Sequence, residues 1–95
     1  MEKMLGKILS VGYGFGGYQE AMFGLSVSLG NDGWGVCDFI GDWVKNDTHL
    51  EHVRRISEIL EQAKVRTVDQ LKDIPVEVTF HHNTLVEWRI LTEVL

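Results

Sequence analysis

Between residues 21 and 29 the chain alternates at period two. Phe23, Leu25, Val27 and Leu29 fall on one side, and Met22, Gly24, Ser26 and Ser28 on the other. A strand with one buried face and one small, polar face reads this way. Gly30-Asn31-Asp32-Gly33 then offers residues that tolerate positive φ, and residues 34–40 resume with aromatic and β-branched side chains, so the pattern predicts a hairpin. Upstream, the run KILSVGY over residues 7–13 is apolar and β-branched enough for a first strand, bracketed by Gly6 and Gly12.

The period changes after residue 47. Thr48-His49-Leu50-Glu51 has the S/T-x-x-E form of a capping box. Val53, Ile56, Leu60 and Ala63, with Leu50 and Ile59 beside them, follow at three- and four-residue steps against a charged remainder, which predicts one amphipathic helix. Thr67-Val68-Asp69-Gln70 predicts a short helical turn ending near Asp73, because Pro75 disfavours helix in the residue before it.

Val76, Val78 and Phe80 alternate with Glu77 and Thr79, His81-His82-Asn83 turns the chain, and residues 85–94 predict a last strand. That strand places Val86, Trp88, Ile90, Thr92 and Val94 on one face, with Leu85, Glu87, Arg89, Leu91 and Glu93 on the other. The expected architecture is α+β: a mostly antiparallel five-stranded sheet with one helix and a short helical turn, ordered β-β-β-α-β-β, in a single domain over residues 1–95. One helix covers one face of such a sheet. The second face, expected to carry Met22, Ser26, Ser28, Glu77, Thr79, Glu87, Arg89 and Leu91, is left for solvent, a ligand or a second copy.

Composition narrows the setting. With a single cysteine, Cys37, no intrachain disulfide can form, and no segment reaches the length and apolarity of a membrane span or the pattern of a secretory leader. A cytoplasmic protein is expected. The net charge of −5 argues against general nucleic-acid binding. Its distribution is uneven: residues 31–47 hold Asp32, Asp38, Asp42 and Asp47 against Lys45 alone, flanked by Trp34 and Trp43.

Candidate chemistry is sparse. Residues 12–17, Gly-Tyr-Gly-Phe-Gly-Gly, match G-x-G-x-x-G, but a strand follows where a dinucleotide site needs a helix N-terminus. The same glycines either form a loop presenting Tyr13, Phe15 and Tyr18 or permit a wide turn whose aromatics fold back on the core. His49 and His52 are three apart yet read as solvated helix-end residues, and Cys37 reads as a small hydrophobe in mid-strand. No metal, cofactor or catalytic set is expected, so the chain reads as a binder rather than an enzyme.

Two blocks carry a resemblance. GFGGYQEAMFGLSVSLG with GWGVCDFIGDW (residues 14–30 and 33–43) and IPVEVTFHHNTLVEWRILTEVL (residues 74–95) resemble a family of small proteins, without an established activity, encoded by tailed phages and prophages of enteric bacteria. The chain is shorter than some relatives between Trp43 and the helix. The resemblance implies a setting only, a phage-derived accessory protein acting in a bacterial cytoplasm, and small non-catalytic phage proteins often interfere with host antiviral defence. Three readings then stand open. In the first, Trp34, Asp38, Asp42 and Trp43 dock a basic surface of a host defence protein. In the second, an oligomeric sponge sequesters a nucleotide immune signal through Tyr13, Phe15 and Tyr18 with Arg54, Arg55 and Arg89. In the third, the chain is a structural module whose second sheet face is a homo-oligomer seam.

Overall fold

A computed structural model describes residues 1–17, 19, 21–43 and 51–95. Its elements run β1 (Glu2–Gly16), β2 (Met22–Asn31), β3 (Trp34–Trp43), α1 (Glu51–Ala63), β4 (Pro75–His81) and β5 (Thr84–Ile90), with short 3₁₀ turns at Val68–Leu71 and Thr92–Val94. All five strands join one antiparallel sheet in the order β3-β2-β1-β4-β5. The α+β architecture and the element order are those the pattern predicts.

β1 is twice the predicted length. Its first half pairs with β4 and its second half with β2, which makes it the central strand. A bulge at Leu9 joins the halves. One extra residue reverses the alternation. Ile8 therefore faces the core from an even position, and Val11 packs against that core from an odd one. Residues 12–16, expected as loop or turn, are strand, because each glycine pairs across to β2: Gly12 with Ser26, Gly14 with Gly24, Gly16 with Met22. Tyr18 lies outside the described residues.

Three local expectations change. The β2–β3 reversal at Asp32-Gly33 uses no positive φ; Asn31 closes it by accepting the Gly33 N–H on its side-chain oxygen at 2.8 Å, an Asx turn. The last strand stops at Ile90, and a second bulge beside Phe80 sets Leu85 against the core while Val86 stands exposed. On α1 the buried stripe is His52, Ile56, Ile59 and Ala63, and Val53 faces water. The predicted cap at Thr48 lies outside the described residues.

Helix α1 packs on the face lined by Leu25, Val27, Leu29, Val76, Val78, Trp88 and Ile90, closing a core with Ile8, Ile59 and Leu71. The sheet curls around it. Trp88 on β5 donates its indole N–H to Asp38 Oδ2 on β3 at 2.7 Å, although these strands are the two edges of the sheet. Laid flat, four strand spacings would part them by about 19 Å, beyond the reach of two side chains. Trp34 on β3 meets Phe80 on β4 edge to face at 5.5 Å, a second bridge across the same concave side.

Candidate functional site

Where β1 and β2 run past the start of α1, the concave face is paved with rings. Phe15 pairs with Phe23 across the strands. Phe23 takes both Phe15 and Tyr13 edge to face, at centroid distances of 5.2 and 5.3 Å. Such pairs add to stability beyond their buried area. Yet Phe15 is 69% exposed and Tyr13 49%. This aromatic floor is held in place and open to solvent.

His52 fixes its inner edge. The imidazole, 8% exposed, is hydrogen-bonded through Nε2 to the Tyr13 hydroxyl (2.8 Å) and through Nδ1 to Asp42 Oδ2 (2.7 Å). Asp42 Oδ2 also lies 3.4 Å from the His52 backbone N–H, so one carboxylate anchors both the ring and the first turn of α1 to β3. A carboxylate oxygen only accepts, so Nδ1 carries the proton in this contact. Tyr13, His52 and Asp42 thus form one chain linking β1, α1 and β3.

His52, expected as a solvated helix-end residue, is instead the buried hub. Its signal was present: 52, 56, 59 and 63 run at steps of four, three and four, a stripe as regular as the one beginning at Val53. A polar residue heading an apolar stripe asks for partners, and Asp42 and Tyr13 supply them.

The acidic and aromatic residues expected to dock a protein do not form one surface. Asp38 is held by Trp88 Nε1 and by the Phe39 backbone N–H, and Asp42 by His52. Trp34 and Trp43 stand at opposite ends of β3, nine residues and hence about 30 Å apart, and on opposite faces by alternation. Cys37, expected among apolar residues, is exposed on the outer face within 3.5 Å of Ser28 Oγ.

The arginines divide. Arg89 lies on the outer face, bonded to Glu77 at 3.1 Å and by both terminal nitrogens to Glu93 at 3.0 and 2.9 Å. This bidentate grip holds the Glu93 carboxyl at about 2 and raises the guanidinium further above its usual range. Arg89 is therefore remote in chemistry from the aromatic floor. Arg55 lies over the Trp88 ring at 5.8 Å. Arg54 forms no ion pair among the described residues. Glu51, Arg54, Arg55 and Glu58 line a depression of about 350 Å³ along the first turns of α1, the helix that carries His52.

The described residues contain no group of three or more histidine, cysteine, aspartate or glutamate side chains placed to hold a metal ion, and no helix long and apolar enough to cross a membrane. Comparison with protein families, with curated proteins and with solved structures finds no match to this chain. The site is accordingly read from its own geometry.

Proposed function

We propose that this protein is a non-enzymatic binding module, and that the aromatic floor of Tyr13, Phe15 and Phe23 takes a planar, nucleotide-like ligand. One observation carries the reading: Phe15 exposes 69% and Tyr13 49% of its surface while Phe23 and His52 hold them in position. Large exposed rings favour association with an apolar face, and rings already set in place lose little freedom when a base stacks on them. Arg54 lines a separate depression on α1 with Glu51, Arg55 and Glu58, so the reading rests on the rings and not on that guanidinium.

In the setting suggested by the resemblance to phage proteins, the module acts in the bacterial cytoplasm and sequesters a nucleotide signal of host defence, as a homo-oligomer in which copies enclose the ligand. Docking on a host protein through Trp34, Asp38, Asp42 and Trp43 is the weaker reading, since both carboxylates hold the fold together.

The test is native mass spectrometry of the protein purified from phage-challenged bacteria, beside its Phe15→Ala variant. The expected result is a retained mass of a few hundred daltons that absorbs near 260 nm after release and is lost from the variant. A ligand-free oligomer would instead favour a structural module, and a retained ligand equally bound by Phe15→Ala would place the site elsewhere.

A further inference from the structure

The hydrogen-bond chain behind Tyr13 fixes what its hydroxyl can offer a ligand. Asp42 accepts at Nδ1, so a His52 ring that holds a single proton carries it there and leaves Nε2 bare. The Tyr13 hydroxyl, 2.8 Å from Nε2, must then donate inward. Its only remaining capacity is to accept, through the lone pairs of a phenol oxygen on a half-exposed ring. A solvent-free tyrosine would offer either role, but this one offers one.

We infer that the floor selects planar ligands that present an N–H donor at the edge meeting Tyr13, an amino-substituted heterocycle in preference to the same ring without the amino group. The inference rests on the reading of the floor as a nucleotide surface and adds its specificity. Tyr13 is the discriminating contact; His52 and Asp42 are positioning residues that set the direction of its proton. An amino group placed here satisfies the phenol oxygen, whereas a bare ring edge leaves that oxygen covered and without a donor, which a binding site penalises.

The experiment compares AMP with purine riboside 5′-monophosphate, which differs by the missing 6-amino group, by calorimetric titration at pH 8. Wild-type protein should bind AMP roughly five- to tenfold more tightly, the ratio that one hydrogen bond of ordinary net strength supplies. Tyr13→Phe keeps the ring for stacking and removes the oxygen, so its two affinities should agree within about twofold. Equal affinities in the wild type, or an unchanged preference in Tyr13→Phe, would overturn the inference while leaving the nucleotide reading in place. Binding of neither nucleotide would overturn that reading and the inference with it. Should Tyr13→Phe fail to fold, the wild-type ratio decides alone.

Discussion

His52 serves two structures at once, the core stripe of α1 and the polar chain to Asp42 and Tyr13, and substitution can separate them. His52→Leu retains an apolar filler of similar size, so if packing were its whole contribution the variant would match the wild type. Leucine, however, removes the ring N–H from Asp42, a carboxylate only 15% exposed, and the acceptor from Tyr13. Withdrawing a partner from a buried acceptor costs about 1–3 kcal/mol. Urea denaturation of His52→Leu should show a loss of that size with an unchanged dependence on denaturant, and equal stability would reduce the polar chain to incidental geometry. The same residue shows where reading the chain as text falls short. Histidine at the head of a helix is ordinarily solvated, and only the register of β1 and β3 brings Tyr13 and Asp42, 39 and 10 positions away, to its two nitrogens.

The glycines of the β1–β2–β3 segment are not equivalent, and the pairing of strands explains why. A Cβ on Gly24 would strike the Ile40 carbonyl oxygen, and one on Gly41 would lie 2.5 Å from the Phe23 carbonyl oxygen, so this directly opposed pair allows the close, coiled approach of β2 to β3. At Gly14 a Cβ meets nothing within 4 Å. Gly14→Ala should therefore be neutral or slightly stabilising, by up to about 1 kcal/mol from the lost freedom of the unfolded chain. Gly24→Ala should destabilise by roughly 2 kcal/mol or more, as overpacking against backbone does. Thermal melts of the two variants check the pair; a similar shift in both would mean that the β2–β3 approach relaxes freely. Period-two alternation made β2, β3 and β4 legible, and three-four spacing made α1 legible, because each rests on side chains a few residues apart. Residues 12–16 were not, since glycine carries no alternation of its own and its strand character is conferred by the partner strand. The two bulges escaped for a related reason: the parity reversal at Leu9 exists only relative to the registers of β2 and β4.

At the scale of the molecule, the open sheet becomes a trough because its two edges are tied across the helix. Without the Trp88–Asp38 bond nothing in the hydrogen-bonded ladder joins β3 to β5, since the order β3-β2-β1-β4-β5 leaves them as free edges. The curl sets the position of β3 relative to α1, and therefore of Asp42 relative to His52, so the aromatic floor depends on a contact made at the far side of the sheet. Trp88→Phe tests this coupling. Phenylalanine preserves most of the buried ring and its contact beneath Arg55 while removing the indole N–H. The expected loss of global stability is modest, about 1–2 kcal/mol for one charge-assisted bond. The diagnostic result is local: hydrogen exchange should quicken in β5 and along β3 while β1 and β2 at the centre stay protected, because edge elements open at lower free energy than the core strands. Exchange that rises uniformly across all five strands would show that Trp88 contributes only to overall packing, and that the sheet keeps its curl through the helix alone.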